Sequence, residues 1–236
     1  MTWQVHSEIY GEVPLLIVRP PGSAACLPTV LWFHGFGATK EVHLPELKNL
    51  AGRGLLAVGI DAPAHGRRCR ADLEQQFSGM PGDNPQLFRQ IVDQAIGELP
   101  GLIDQLVARG LTDQERVAVA GVSMGGCIVY GAIAAEPRLR AAAALLGSPA
   151  WVQPESEHPA LARFHPTALL SITAGQDTVI PPAAAHALHR RLAHFYREQP
   201  ERLGYQEMAG AAHFMSAQEW ASAVGQACAW LTRFLS

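Results

Sequence analysis

Ser123 stands inside Gly121-Val122-Ser123-Met124-Gly125, a G-x-S-x-G pentapeptide. A serine in that frame is a candidate nucleophile for acyl transfer, because the turn that carries it must be sharp enough to push the hydroxyl clear of the backbone. The flanking residues suit such a turn. Val117-Ala118-Val119-Ala120 is an apolar run of the kind a buried strand needs, and Gly125, Gly126, Gly131, Ala132 and Ala134 mark a small-residue helix that Glu136-Pro137 ends. Flanking glycines let that helix pass close to the strand.

A serine hydroxyl is inert without a base to take its proton and an acid to orient the base. Asp177 follows Gly175-Gln176 off the end of a strand-like run, Ala168 to Ala174, and His213 closes the loop Ala209-Gly210-Ala211-Ala212 after a short strand candidate, Tyr205 to Met208. Other carboxylates compete: Asp61 also ends a strand, and Glu155 and Glu157 follow the strand candidate Ala141 to Leu146. Other histidines compete as well. His186, His189 and His194 share a predicted helix after Pro182, with His186 and His189 on one face at i, i+3. No carboxylate or cysteine completes a metal set beside them, so they read as a solvated helix face. His34 and His65 each precede a glycine at a strand end, where a ring braces a loop by hydrogen bonds.

The elements that must position these groups follow from pattern. Residues 2–10 and 12–19, broken at Gly11, form an antiparallel hairpin. Leu44, Leu47 and Leu50 mark a helix face, residues 55–60 a buried strand, and residues 86–109 a helix with a break at Pro100-Gly101. Residues 182–197 are helical, and Ser216-Ala217-Gln218-Glu219 is a capping box that opens a last helix. Strands alternating with helices predict an α/β fold: a mostly parallel central sheet with helices on both faces and the hairpin at its N-terminal edge. One domain over residues 1–236 is expected, with small lid-like insertions at about 63–85 and 148–166.

With these residues in view, the chain resembles the α/β-hydrolases from about Leu31 onward. Leu31-Trp32-Phe33-His34-Gly35-Phe36-Gly37 is similar to the family's oxyanion segment, and Asp61-Ala62-Pro63-Ala64-His65-Gly66-Arg67 to its D-x-P-x-H-G segment. Lys40 and Glu41 add a likeness to small bacterial carboxylesterases near the dienelactone hydrolase and prolyl oligopeptidase branches. Dienelactone hydrolases proper carry cysteine where Ser123 stands, so lactone specificity is not implied. The family order of Ser, then acid, then His selects Asp177 over Asp61 and implies Ser123, Asp177 and His213 as the triad. It also implies an oxyanion hole from the backbone N–H groups of Met124 and Phe36, with Gly37 as the second choice. Phe36 and Trp151 are the expected pocket walls.

Composition narrows the rest. At 48% hydrophobic and 17% charged residues the chain has material for a core, and a net charge of −3 gives no reason to expect nucleic acid or an anionic membrane as partner. Cys26, Cys69, Cys127 and Cys228 show neither a C-x-x-C nor a metal spacing. The N-terminal residues lack a basic region followed by an apolar one, and no run reaches membrane-spanning length. The expectation is a cytoplasmic serine esterase for short to medium acyl chains, monomeric or homodimeric, with a small-molecule ester as partner and neither cofactor nor metal. A thioesterase or a small-peptide or amide hydrolase would use the same residues. A binding protein on the same scaffold would show a broken triad.

Overall fold

Eight strands make one sheet in the order β1-β2-β4-β3-β5-β6-β7-β8. This computed structural model describes residues 3–23, 26–70, 77, 83–151 and 161–236. β1 (Gln4–Tyr10) and β2 (Val13–Arg19) form the expected antiparallel hairpin, closed by two residues with Gly11 at φ +61°. β2 joins β4 (Leu56–Ile60) antiparallel. From β4 onward every pairing is parallel, through β3 (Leu27–Phe33), β5 (Thr112–Val122), β6 (Leu139–Leu145), β7 (Ala168–Ala174) and β8 (Leu203–Met208). The six parallel strands therefore end at one edge of the sheet. The segments after β3, β5, β7 and β8, which carry Phe36, Ser123, Asp177 and His213, all leave from that edge, where ligands of open α/β sheets bind.

Alternation along each strand splits the core into two layers. Leu31, Phe33, Val58 and Val119 pack with side chains of α2 (Pro85–Ala108), α3 (Met124–Ala135) and α4 (Ala183–Leu192). Their neighbours Val30, Trp32, Ala57 and Ala118 pack with α1 (Leu44–Gly52) and α5 (Ala217–Leu235) on the opposite face. Covered on both faces, the parallel strands must be mostly apolar there, as residues 117–122 of β5, the alanines of β6 and most of β7 are. α5 starts at the predicted capping box: Ser216 Oγ accepts from the Glu219 N–H, and the Glu219 carboxylate accepts from the Ser216 N–H. Among the described residues no helix is long and apolar enough to cross a membrane.

Two helices differ from expectation. α2 runs unbroken through Pro100. The proline forfeits one helical hydrogen bond and strains the preceding turn, at about 3 kcal/mol. Leu99, Leu102, Ile103 and Leu106 continue the buried stripe of Phe88, Ile91, Val92 and Ala95, and each large side chain contributes about 1.5–3 kcal/mol, so packing outweighs the break. α4 stops at Leu192 instead of reaching residue 197. Beyond it Tyr196 is buried, and its hydroxyl approaches the carbonyls of Phe164 and Thr167 at 2.7 and 2.6 Å.

Candidate active site

Ser123 caps α3 with φ +57° and ψ −113°, a conformation L-residues rarely adopt. Strain of this kind costs roughly 1–3 kcal/mol and persists only where the surroundings enforce it. Here the Ser123 N–H donates to the Leu145 carbonyl at 2.8 Å, and the Ser123 carbonyl accepts from Cys127 at 3.0 Å. The glycines of the pentapeptide are steric requirements. A methyl group on Gly121 would stand 2.6 Å from the Gly125 carbonyl carbon, and one on Gly125 would run into the Phe33 carbonyl.

The turn brings Ser123 to His213, with Oγ 3.0 Å from Nε2. His213 Nδ1 lies 2.7 Å from Asp177 Oδ2. The other carboxylate oxygen of Asp177 accepts the N–H groups of Val179 at 2.9 Å and Ile180 at 2.7 Å, which hold the carboxylate in place. Asp177 and the His213 ring are nearly buried, so this chain of contacts is shielded from bulk water.

Asp61, the competing carboxylate, is engaged elsewhere. It is fully buried and receives the Lys40 ammonium at 2.7 Å, the Lys40 N–H at 2.9 Å and the Arg67 N–H at 3.0 Å. Burial by itself would raise its pKa; these hydrogen bonds together hold it below the usual carboxylate range. A side chain at Gly66, which sits at φ +54°, would collide with the Asp61 carboxylate. The ion pair thus ties the segment after β3 to the segment after β4. In the sequence Lys40 and Glu41 are marks of a likeness only; the partnership of Lys40 with Asp61 spans 21 residues, and no local pattern announces it.

His34 braces the same region. Its Nε2 accepts the Ala62 N–H at 3.1 Å, so the ring proton is on Nδ1, which lies 2.7 Å from the Gly35 carbonyl. Burial pushes its pKa down to about 4. His65 is held through Nδ1 to the Pro63 carbonyl at 2.8 Å, and burial lowers its pKa as well. The peptide unit whose oxygen His34 holds carries the Phe36 N–H on its opposite side, because the unit is planar and trans. Met124 is the first residue of α3, where an N–H has no intrahelical acceptor.

A cavity of about 360 Å³ opens above Ser123, lined by Gly35, Phe36, Val122, Leu146, Val179, His213, Met215 and Trp220 among others. Phe36 is packed from behind by His65, Phe77 and Phe88, at ring-centre distances of 5.0, 4.6 and 6.2 Å. The side chain of Trp151 lies outside the described residues, as do Glu155, Glu157 and most of residues 71–82. Arg68 makes a two-pronged pair with Glu98 of α2 at 2.6 and 2.7 Å.

His189 is a correction. Expected on a solvated face, it is buried, with Nε2 2.8 Å from the Ser171 hydroxyl, and burial lowers its pKa to about 4. Its helix packs on the sheet through that side. Among the described residues no group of three or more His, Cys, Asp or Glu is placed to hold a metal.

A family model described as the alpha/beta hydrolase family matches residues 30–235. The chain is 27% identical over 234 residues to "Putative esterase YitV" of Bacillus subtilis (strain 168), covering 86% of this chain and 89% of that one. It is 31% identical over 146 residues to "Esterase YjfP" of Escherichia coli (strain K12), covering 61% of this chain and 55% of that one. TT1662 from Thermus thermophilus shares the fold at TM-score 0.75 and 20% identity, over 100% of this chain and 99% of that one. With the parallel sheet, the strained serine after β5 and a match over most of its length, the chain belongs to the alpha/beta hydrolase family.

Proposed function

We propose that the protein hydrolyses carboxylic esters of short to medium acyl chains through an acyl-enzyme on Ser123. The carrying observation is the run of contacts from Ser123 through His213 to Asp177, at 3.0 and 2.7 Å, beneath a mostly apolar cavity. The esterase names of the two relatives support ester over thioester or amide as the bond cleaved.

In this reading His213 takes the proton of Ser123 as its oxygen attacks the ester carbonyl, and Asp177 orients the ring and stabilises the imidazolium. The oxyanion is met by the N–H groups of Met124 and Phe36. The tetrahedral intermediate collapses as His213 protonates the leaving alcohol; water then attacks the acyl-enzyme by the same route. Phe36 forms part of the acyl wall, and Trp151 is assigned beside it. The chain is read as one domain that acts on a small molecule in the cytoplasm, as monomer or homodimer.

A series of p-nitrophenyl esters from acetyl to dodecanoyl tests the reading. Each added CH₂ is expected to gain at most ~0.8 kcal/mol until a cavity of this size is full, at about hexanoyl. Activity that peaks on long-chain emulsions, or is absent from the whole series, would overturn it.

A further inference from the structure

In the wall of the same cavity stands a second imidazole, His43, with a carboxylate, Glu46, behind it. His43 and Glu46 lie on the turn Lys40–His43 and the first turn of α1, and both are 7% exposed. Glu46 Oε1 accepts the indole N–H of Trp220 at 2.7 Å, while Oε2 lies 3.4 Å from His43 Nδ1. At that distance the two buried atoms face each other without a formed hydrogen bond, and neither has a hydrogen-bond partner elsewhere among the described residues. Burial alone would raise the Glu46 pKa; the His43 and Trp220 side chains beside its carboxylate hold it below the usual range. Glu46 is therefore an anion that only accepts hydrogen bonds, and the Nδ1 proton of His43 belongs between the pair.

An imidazole with its proton on Nδ1 presents a lone pair at Nε2. His43 lines the cavity together with Phe36, Ser123 and His213. The rings of Trp32 and Trp220 flank it at 5.5 and 6.2 Å and hold its orientation. Among the described lining, the side chains of Val122, Leu146, Val179 and Met215 offer no acceptor of comparable strength.

We propose that His43 Nε2 accepts a hydrogen bond from a hydroxyl carried by the ester, in a tautomer fixed by Glu46, so that hydroxylated esters are the preferred substrate class. The proposal rests on the ester-hydrolase reading of this cavity. His43 makes and breaks no bond in it; it determines specificity. A hydroxyl entering the apolar cavity loses its hydrogen bonds to water and regains one at this nitrogen. An ether oxygen at the same place meets a lone pair and gains nothing. One neutral hydrogen bond corresponds to about a three- to tenfold preference.

The test compares kcat/KM for matched esters on the full-length protein. On the acyl side these are the p-nitrophenyl esters of butyric, 3-hydroxybutyric and 3-methoxybutyric acids. On the alcohol side they are propyl butyrate, glycerol monobutyrate and its methyl ether. On one of the two sides the hydroxylated ester is expected to exceed both analogues three- to tenfold, and His43→Phe to bring that ratio to about one. Glu46→Gln supplies a second readout. Its carbonyl keeps the Trp220 N–H, its amide turns an N–H toward Nδ1, and the ring proton moves to Nε2, which donates to a hydroxyl and a methyl ether oxygen alike, so the hydroxyl-to-ether ratio falls to about one while both exceed the unsubstituted ester. Either variant suffices if the other does not fold. No hydroxyl preference in the wild type, or a preference unchanged in the folded variants, would overturn the proposal. Hydrolysis of none of the six esters would instead overturn the esterase reading on which it rests.

Discussion

His34 donates from Nδ1 to the Gly35 carbonyl at 2.7 Å, and so sets the plane of the peptide whose other side carries the Phe36 N–H. The ring is held to this orientation by the Ala62 N–H on its other nitrogen. The proposed oxyanion donor, the Phe36 N–H, depends on the tilt of that peptide, which the His34 ring and the Ala38 N–H, 3.2 Å from the same carbonyl, hold from the other side.

His34→Ala is therefore expected to lower kcat by ten- to a hundredfold with little change in KM. Complete loss of an oxyanion donor costs about 2.7–4 kcal/mol, and a misaligned donor costs less than that. His34→Asn, whose side-chain amide can reach the Gly35 carbonyl, should recover part of the rate. A thermal melt separates this from the stability cost of leaving the Ala62 N–H unpaired, about 1–3 kcal/mol in both variants. An equal loss of kcat in both variants would show that His34 acts only through folding.

Removing Ser123 or His213 should each lower kcat by roughly 10⁶-fold and Asp177 by about 10⁴-fold, as groups that act as a unit do. A fluorophosphonate probe is expected to label Ser123 alone. Labelling that survives in Ser123→Ala would refute the assignment.

Lys40→Met should destabilise the protein by about 3–5 kcal/mol in urea unfolding. It strands the buried Asp61 carboxylate, which solvent does not reach and which no other cation pairs with among the described residues. Glu41, the other partner of Lys40, is more than half exposed, and Glu41→Gln should cost less than about 1 kcal/mol. Equal effects of the two substitutions would contradict this account.

Stability should fall as pH drops from 7 toward 4. His34 and His189 are held at about 4, below the value of about 6.5 for a free histidine. Between those two values the unfolded chain binds more protons than the folded one, so the slope of stability with pH is positive. By pH 5 each histidine removes about 2 kcal/mol. Asp61, Glu46 and Glu136, whose pKa values are depressed, add a loss of the same sign at lower pH. Unfolding free energies that are flat between pH 7 and 5 would show that the two rings are not buried as neutral species.

The amino-acid sequence by itself determined whatever depends on neighbours along the chain. The glycines around Ser123, the apolar runs of β5 and β7, the Gly11 turn and the capping box at Ser216 each state a local backbone need that few other residues meet. The order of Ser123, Asp177 and His213 along the chain was equally readable. What one sequence left open was which distant groups are buried against each other. Asp61 and Asp177 both end strands, and only packing shows that one is met by Lys40 and the other by His213. His189 carries a polar ring on a polar-looking helix, yet burial of that face against β7 turns it toward Ser171. Pro100 marks a helix break by local rule, and the stripe pressed on the sheet overrides it. Glu46 becomes a tautomer-fixing anion only once Trp220, far along the chain, donates to it. Desolvation and long-range hydrogen bonds decide these roles, because their energies depend on burial and distance in three dimensions, which the order of residues does not encode locally.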